Sequence, residues 1–593
     1  MKSVSDRLKA LRKRMKEESL SAWIISSSDS HASEYVSDHW RGRAWISGFT
    51  GSMGTVVVLE DKAGLWADGR YFIQAEAEIE GSGIDLFKFG LPDTILFEDW
   101  IVQELSENAT VGYDGKVMSY DFLKTLKKIS KTKNISIRTD LDILDDIWSD
   151  RPSLPTESIF DHDVKYAGKS RAEKLKDIRA EMTKENASHH LITTLDDIAW
   201  LYNYRGNDIP CCPFTLAYTL ISQKGARLFI DTRKVPDSLR EDFLKDNIEV
   251  CEYTAIDQAL AGLKETSALL FDPKTVNGHF IELLSDEVSK LEGRTLTTMM
   301  KSLKNAVERE HSKECHRKDG AAMVKFLKFL DENVPRGRVT EISASDMAEK
   351  YRSEIDTFKG LSFTTIPAYG PNAAMMHYST SEETSCVIGE DNFFLVDSGG
   401  QYLDGTTDIT RTMNYGPLNE QQRKDYTLVL RAHIALAKAK FMKGARGCQL
   451  DMLARGPVWD QAIDYACGTG HGVGNFLNVH EGPQSISTRF IDEEMRAGMN
   501  ITNEPGIYRK DKWGIRIENI YFVKEFEVNE FGTFYEFDTV TVCPINIKPV
   551  IKEMMLSSEI EWLNDYHRYV YKQLCPYLDE SEQAWLKENT KAF

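Results

Sequence analysis

Residues 393–412 read FFLVDSGGQYLDGTTDITRT, an apolar strand that ends at an aspartate, a glycine-rich turn and a second strand that follows another aspartate. Paired as a simple hairpin, the strands would put Asp397 and Asp408 directly opposite each other, with side chains about 5 Å apart. Two carboxylates that close repel each other unless a proton or a cation lies between them. Asp404, in contrast, is predicted to be an ordinary turn residue. The stretch therefore predicts a hairpin that holds a concentrated negative charge.

A second hairpin repeats this arrangement in MNITNEPGIYRKDKWGIRIENIYFV, residues 499–523. Glu504 and Glu518 flank its polar turn and are predicted to face each other. Along the returning strand, alternation puts Glu518 on the face opposite to Ile515 and Ile517. Taken alone, this pair would be interpreted as a solvated strand face.

Between the two hairpins, GTGHGVGNFLNVHEGP (468–483) surrounds one histidine with glycines, which let a backbone and a ligand approach closely. The domain thus offers four carboxylates and one imidazole: Asp397, Asp408, His471, Glu504 and Glu518. Oxygen-rich donors with one nitrogen suit a divalent ion such as Mn²⁺, and two ions about 3.5–4 Å apart can share bridging carboxylates. The set is therefore compatible with a dinuclear hydrolase, without establishing one.

A chain of 593 residues is too long for one hydrophobic core, which stops growing at about 250–300 residues. An internal repeat divides its first half, because the helical pattern at 7–25 returns at 174–192. A strand-turn-strand pattern at 55–68 likewise returns at 218–231. We therefore expect two related α/β domains to precede a domain of different texture.

The domain boundaries follow from this repeat and from breaks in the pattern. We place the first domain at 1–155 and the second at 156–310, with a linker around SDRPSLPTES (149–158). The third domain covers 311–593 and closes with a helical tail at 557–586, whose apolar stripe indicates core packing or a subunit contact.

Composition excludes several classes of protein. The 73 Lys and Arg face 92 Asp and Glu, a net charge of −19, which argues against nucleic acid as a partner. The nine cysteines include no CxxC pair, so neither a disulfide framework nor a zinc ribbon is predicted. No 18-residue apolar run and no signal-peptide pattern occur, so we expect a cytoplasmic protein without a membrane partner.

Five ordered motifs resemble the pita-bread metallopeptidases: GPNAAMMHY (370–378), VDSGGQYLDGTTDITRT (396–412), GTGHGVGNFLNVHEGP (468–483), TNEPGIY (502–508) and WGIRIEN (513–519). Within that superfamily, the whole chain resembles the long, three-domain aminopeptidase P family. The resemblance implies two creatinase-like α/β domains followed by an α+β pita-bread catalytic domain. It also implies hydrolysis of the N-terminal Xaa-Pro bond of peptides with a penultimate proline.

The resemblance further implies two divalent ions per subunit, with Mn²⁺ as the first expectation and Zn²⁺ or Co²⁺ as alternatives. Asp397 would bind one ion, while Asp408 and Glu518 would bridge both. His471 and Glu504 would complete the other ion. A water bridging the ions would attack the carbonyl before proline, and Glu504 would pass its proton toward the proline nitrogen.

Further roles follow from the same resemblance. His377 and His480 would flank the site, steady the tetrahedral intermediate and orient the proline, although either could be a core histidine. Tyr508 and Arg516 would orient the carboxylates.

Two residues and two alternative functions stay open at this point. Arg70 would reach toward the substrate and Trp459 would wall the pocket, but both could equally be packing residues. A prolidase shares the five ligands but is typically shorter, with one N-terminal domain. A non-catalytic pita-bread binding protein would be expected to lack ligands, and none is missing. The resemblance also suggests a homodimer.

Overall fold

The computed structural model of the protein describes residues 3–593 and divides into two compact units. The first unit comprises the chain up to His162 together with Lys169–Thr297. The second comprises Asp163–Gly168 and Thr298–Phe593. Both copies of the sequence repeat therefore lie in the first unit, and all five candidate metal ligands lie in the second.

Up to residue 302, the strands are β1 (Ala22–Ser26), β2 (Thr55–Leu59), β3 (Ala63–Ala67), β4 (Asp85–Lys88), β5 (Thr110–Gly112), β6 (Ser136–Arg138), β7 (Phe160–Asp161), β8 (His189–Ile192), β9 (Tyr204–Arg205), β10 (Ala217–Ser222), β11 (Ala226–Ile230), β12 (Ile248–Cys251), β13 (Ala268–Phe271) and β14 (Ser289–Glu292). The helices are α1 (Val4–Glu17), α2 (Gly42–Ser47), α3 (Phe72–Glu78), α4 (Phe97–Glu104), α5 (Tyr120–Ser130), α6 (Ile143–Ile147), α7 (Val164–Ala167), α8 (Arg171–Lys184), α9 (Leu195–Tyr202), α10 (Asp237–Lys245), α11 (Ile256–Ala261), α12 (Gly278–Glu282) and α13 (Leu296–Ser302).

Two six-stranded sheets of matching topology dominate the first unit. Their strand orders are β4-β3-β2-β1-β5-β6 and β12-β11-β10-β8-β13-β14. In each sheet, the central strand pairs antiparallel with a hairpin strand on one side and parallel with a strand on the other. The matching orders confirm the duplicated α/β half that the repeat predicts.

The repeated helical pattern packs as its spacing requires. Both copies bury the same three positions of a helix that precedes the central strand: Leu8, Leu11 and Met15 in α1, and Leu175, Ile178 and Met182 in α8. Residues 151–158 of the predicted linker form neither helix nor strand. Of the predicted N-terminal helix, Met1 and Lys2 lie outside the described residues.

In the second unit, the strands are β15 (Phe358–Leu361), β16 (Ile366–Tyr369), β17 (Phe393–Ser398), β18 (Gly400–Tyr402), β19 (Gly405–Thr406), β20 (Ile409–Asn414), β21 (Lys440–Met442), β22 (Gly470–Gly472), β23 (Glu481–Ile486), β24 (Asn500–Asn503), β25 (Gly506–Arg509), β26 (Trp513–Arg516), β27 (Asn519–Asn529) and β28 (Gly532–Thr539). The helices are α14 (Ala306–Asn333), α15 (Glu341–Ser353), α16 (Glu420–Ala437), α17 (Gly447–Trp459), α18 (Ser557–Leu574) and α19 (Glu580–Asn589).

The strands of the second unit form several small sheets rather than one large one. Their orders are β15-β18-β19, β16-β17-β20, β21-β28-β27-β24, β22-β23 and β25-β26. Helix α18 packs against α14 and α16, and it buries Leu563, Tyr566 and Val570 in the apolar core. The stripe on the helical tail therefore serves core packing. Among residues 3–593, every helix is too short or too polar to span a lipid bilayer.

The pairing of β17 with β20 differs from the predicted simple hairpin. Asp397 lies opposite Thr410, and Asp408 lies just before β20 begins. Between them, β18 and β19 continue the same register, with Gln401 opposite Thr406. The constant register centres the turn between Leu403 and Asp404, one residue later than a turn midway between the two aspartates. The prediction that the two aspartates stand directly opposite was therefore wrong by two residues of register.

The second predicted hairpin is confirmed. Strand β24 pairs with β27, and β25 pairs with β26, in one common register. Glu504 lies between β24 and β25, and Glu518 lies between β26 and β27, so the two face each other across the gap. Ile515 and Ile517 point the other way, into the apolar core.

Candidate metal centre

The five candidate ligands come from five separate strand ends of the second unit. They are Asp397 in β17, Asp408 before β20, His471 in β22, Glu504 after β24 and Glu518 before β27. Strand ends suit this purpose because a side chain there can leave the sheet without opening a ladder in its middle. The sheets meet so that acidic side chains from different hairpins converge.

Asp408, His471 and Glu518 each present a ligand atom, and these atoms all lie within 4.8 Å of one another. The Nε2 atom of His471 is 3.3 Å from Glu504 Oε1 and 3.6 Å from Asp408 Oδ2. Its Nδ1 atom lies 2.9 Å from the carbonyl oxygen of Gly472. Because a carbonyl oxygen only accepts, Nδ1 carries the hydrogen in the neutral ring, and Nε2 presents its lone pair to the carboxylates.

Asp397 is held on one side only. Arg516 Nη2 donates a hydrogen bond to its Oδ2 atom. Its Oδ1 atom is buried, and no residue within 3–593 donates a hydrogen bond to it. A buried carboxylate oxygen without a donor is costly unless a cation occupies its lone pairs. Asp397 therefore fits the requirement for a metal ligand.

The protonation of the cluster supports the same conclusion. Burial raises the pKa of Asp408 well above its ordinary value, and the charges of Asp397 and Glu504 raise it further. Burial also raises the pKa of Glu518, with Asp408 as its nearest repelling neighbour. The pKa of Glu504 is raised in the same way, first by burial. Without cations the site must hold protons, so the donor set suits a pair of hard divalent ions.

Neighbouring side chains fix the orientation of these carboxylates. Thr410 Oγ1 donates to Glu518 Oε2 at 2.8 Å and accepts from Arg516 Nε at 3.1 Å. Arg516 Nη1 donates to the hydroxyl of Tyr508 at 2.6 Å. Thr502 Oγ1 donates to Glu504 Oε1 at 3.2 Å. The predicted pair of Tyr508 and Arg516 thus lies in one hydrogen-bonded chain with two of the carboxylates.

Arg411 stabilises the backbone beside the site, and the sequence analysis did not predict this role. Its buried guanidinium donates to the carbonyl oxygens of Glu518 at 2.7 Å, Cys543 at 2.8 Å and Pro544 at 2.9 Å. It also donates to Asn519 Oδ1 at 2.9 Å. These bonds tie β20 to the start of β27 and so fix the backbone of Glu518. The sequence feature that could have indicated this role is a single arginine within the strand β20, all of whose residues are buried.

The two predicted substrate histidines lie in different surroundings. The ring of His480 meets that of His471 edge to face, with centroids 4.5 Å apart. His377 is half-buried in the loop after a 3₁₀ turn at 370–374, and that turn packs against β26. The loop is secured by Glu341, whose carboxylate accepts hydrogen bonds from Tyr378 OH at 3.0 Å and from the Cys386 amide at 3.2 Å.

Two further predicted residues are already engaged elsewhere. Arg70 belongs to the first unit, where Asp68 binds its guanidinium through Nε at 3.0 Å and Nη2 at 2.8 Å. Trp459 ends α17, is 40% exposed and donates its indole N–H to Asp464 Oδ1 at 2.9 Å. Their roles toward a substrate stay predictions.

Comparison with protein families assigns every part of this architecture. The Creatinase/Prolidase N-terminal domain matches residues 7–146, and a second model of the same description matches 150–308. Metallopeptidase family M24 matches residues 310–525. The C-terminal region of peptidase M24 matches residues 533–593.

The chain is similar over its full length to curated relatives. A probable Xaa-Pro aminopeptidase P of Coprinopsis cinerea is 38% identical, covering 99% of this chain and 98% of the relative. Aminopeptidase P1 of Lotus japonicus is 36% identical, covering 98% of this chain and 99% of the relative.

Solved structures give the same result. The X-prolyl aminopeptidase of Caenorhabditis elegans, described as a cytosolic enzyme with a di-nuclear active site, is 34% identical, with a TM-score of 0.97 and full coverage of both chains. A Bacillus anthracis Xaa-Pro dipeptidase is 25% identical, with a TM-score of 0.51. It is covered to 99%, yet it matches only 64% of this chain.

The raised pKa values of the buried carboxylates predict how metal removal changes the melting temperature at different pH. Because the folded, metal-free pKa values of Asp408 and Glu518 lie above the unfolded values near 4, bound protons stabilise this state at low pH. That stabilisation is lost as pH rises toward the folded values, by about 1.4 kcal/mol per pH unit for each group. We expect the gap in melting temperature between metal-loaded and chelated protein to widen from about pH 5.5 to about pH 8.

The control is Asp408→Asn in the chelated state alone, because it lacks one of the titrating carboxylates and its melting temperature should fall less steeply with rising pH. An equal gap at both pH values in the unaltered protein would contradict the prediction.

Proposed function

Since the chain belongs to the aminopeptidase P family of M24 metallopeptidases and is a metal-dependent Xaa-Pro aminopeptidase, we propose how its own residues perform that reaction. The observation that carries the proposal is one cluster in which the buried carboxylates of Asp397, Asp408 and Glu518 meet the half-buried Glu504 and the Nε2 atom of His471. The family and the cluster together support a site with two divalent ions.

We propose that Asp397, Asp408, His471, Glu504 and Glu518 hold the two ions, with Mn²⁺ as the first choice and Zn²⁺ or Co²⁺ as alternatives. When bound, such a pair polarises the scissile carbonyl and lowers the pKa of a water molecule. The orphaned Oδ1 atom of Asp397 and the raised carboxylate pKa values support this ligand set.

Glu504 is proposed to move the proton. Its Oε1 atom accepts from Thr502, which leaves Oε2 to take a proton from the attacking water and to deliver it to the leaving proline nitrogen. Burial raises the pKa of Glu504, so the side chain can hold that proton between the two steps. Transfer to nitrogen matters because a prolyl amide is a poor leaving group until it is protonated.

The surrounding residues orient the substrate and the carboxylates. His377 and His480 are proposed to donate hydrogen bonds to the oxygen that gains charge during attack and to seat the proline ring. Arg516 and Tyr508 keep Asp397 in place, as their hydrogen-bonded chain indicates. A bond before proline has no N–H for a peptidase to grip, so recognition of the ring and carbonyl is the suitable strategy.

The proposal is tested on Arg-Pro-Pro and on the dipeptide Ala-Pro with Mn²⁺-loaded protein. We expect the N-terminal arginine to be released from the longer peptide, because an aminopeptidase needs no free carboxylate next to the proline. The release is measured by chromatography. Turnover of Ala-Pro alone would identify a prolidase instead. No turnover of either peptide, with both ions bound, would favour the non-catalytic alternative.

A second prediction concerns Glu504→Ala. The variant should lose at least about 10²-fold in kcat on Arg-Pro-Pro, because it lacks both a metal ligand and the proton carrier. Glu530→Ala, at an exposed hairpin turn, is the matched control and should retain normal turnover. Near-normal turnover by Glu504→Ala would remove the proposed mechanism.

We also propose that the protein is a cytoplasmic homodimer. The nematode relative is described as cytosolic, which supports the location. Dimerisation is supported by exposed apolar side chains at the end of the β27–β28 hairpin, where Val528 is 62% and Phe531 is 72% exposed. Met442 of the adjoining β21, 51% exposed, extends the patch. A second copy would cover side chains that water solvates poorly.

Phe531→Asp should shift the sedimentation mass from dimer to monomer, because a carboxylate cannot be buried in an apolar contact. Leu244→Asp changes an equally exposed leucine (72%) of α10 and should leave the mass unchanged. A dimer that survives Phe531→Asp would exclude this patch as the contact.

A further inference from the structure

A cavity of about 190 Å³ lies in the duplicated N-terminal unit, whereas the candidate metal ligands belong to the other unit. It opens at the carboxyl ends of the parallel strands β1 and β5, and its walls include Ser26–Asp29 and Val117–Ser119. Met53–Thr55 at the start of β2 also lines it, as do Lys274, Thr275 and Asn277, which follow β13 in the second repeat. Open α/β sheets bind ligands at this edge, where the strand order reverses.

Asp29 contributes a buried carboxylate that is only half used. Its Oδ1 atom accepts from the amides of His31 at 2.9 Å and Ser33 at 3.0 Å. Nothing in the described chain donates to its Oδ2 atom, although the residue is 1% exposed and lines the cavity. A buried carboxylate oxygen in this position requires a hydrogen-bond donor, most favourably a cationic one.

Asn277 presents the complementary group from the other repeat. Its Oδ1 atom accepts from the Phe280 amide at 3.0 Å, so its Nδ2 atom is directed elsewhere. That nitrogen meets no acceptor among residues 3–593, and the residue is 2% exposed. Lys274 lies beside it on the same wall. This side of the cavity therefore requires an acceptor, most favourably an anionic one.

The two walls are held together by backbone hydrogen bonds. The amide of Tyr120 donates to the Val276 carbonyl at 2.8 Å, and the amide of Gly278 donates to the Met118 carbonyl at 2.9 Å. Ser119 and Asn277 also form an antiparallel bridge. The cavity is therefore preformed, and a ligand would not have to order its own site.

We propose that this cavity binds a small zwitterionic α-amino acid, with its ammonium group on Asp29 and its carboxylate on Asn277 and Lys274. The volume equals about six water-sized groups of ~30 Å³, close to the six non-hydrogen atoms of alanine. Val117, Met118 and Phe122 offer an apolar wall for a short side chain.

Simpler ligands satisfy only one wall. Asp29 and Lys274 are the charged side chains that line the cavity within the described residues. A metal ion would find one carboxylate and would face the Asn277 amide hydrogens and the Lys274 ammonium. A phosphate would be repelled by Asp29. Only a ligand that carries both charges uses both sides, and the volume of the cavity limits it to a small one.

The test measures L-alanine binding to the full-length, Mn²⁺-loaded protein by isothermal titration calorimetry. We expect a dissociation constant in the low millimolar range, of the order of 1 mM, because the ligand is so small. Asp29→Asn keeps the Oδ1 acceptor and should weaken binding at least tenfold. Asn277→Asp keeps the helix cap and should weaken binding similarly. Exposed Asp61→Asn is the matched control and should bind as the unaltered protein does.

Two comparisons separate this site from the metal centre. Asp408→Asn should leave alanine binding unchanged, and Asp29→Asn should leave Arg-Pro-Pro turnover unchanged when no alanine is added. N-acetyl-L-alanine lacks the ammonium and L-alaninamide lacks the carboxylate, so each should bind at least tenfold more weakly.

Absence of alanine binding at about 20 mM would overturn the proposal. So would equal binding by Asp29→Asn, or loss of binding in Asp408→Asn, which would assign the alanine to the metal centre. None of these outcomes depends on peptide hydrolysis, so the proposed function can fail or hold independently.

Discussion

Repulsion among four clustered carboxylates, three of them buried and Glu504 half-buried, is the constraint on which the catalytic unit depends. Two like charges about 4 Å apart repel by roughly 4 kcal/mol in an effective dielectric of about 20. Arg516 is in contact with Asp397 and supplies one positive charge, which cannot balance four negative ones. The cluster is therefore stable only when it holds protons or cations. The raised pKa values of Asp408 and Glu518 show that these carboxyl groups bind protons more readily when no cation is present.

The architecture of the unit follows from holding such a cluster rigidly. A continuous sheet would bury a ladder of apolar side chains, whereas several small sheets provide many strand ends that meet in one place. Arg411 ties two of these sheets together through backbone carbonyls, and Thr410 orients Glu518 directly. Removing one of these partners would leave buried polar groups without hydrogen bonds. The site therefore requires Arg411 and Thr410 as well as the ligands themselves.

The duplicated half shows the same scaffold used in a different way. Its two sheets share one strand order, yet the loops that leave them differ, and Asp29 of one repeat meets Asn277 of the other across a cavity. The Bacillus anthracis dipeptidase matches 64% of this chain with 99% of its own length, so about a third of this chain has no counterpart in that protein. Duplication therefore creates a preformed cavity between the two α/β repeats, and the metal centre is a separate site in the other unit.

The sequence by itself determined the class of the protein and most of the ligand-bearing elements. Helical and strand periodicity were sufficient for the repeat, because local burial patterns survive in each copy. The facing of Glu504 and Glu518 could also be predicted, since their hairpin keeps one register. Only the structure decided the register of Asp397, because the hairpin turns between Leu403 and Asp404, and the alternation of strand residues does not determine at which residue a glycine-rich turn is centred. It likewise decided the roles of Arg411 and of the Asp29–Asn277 cavity, whose partners are distant in sequence and meet only when the chain is folded.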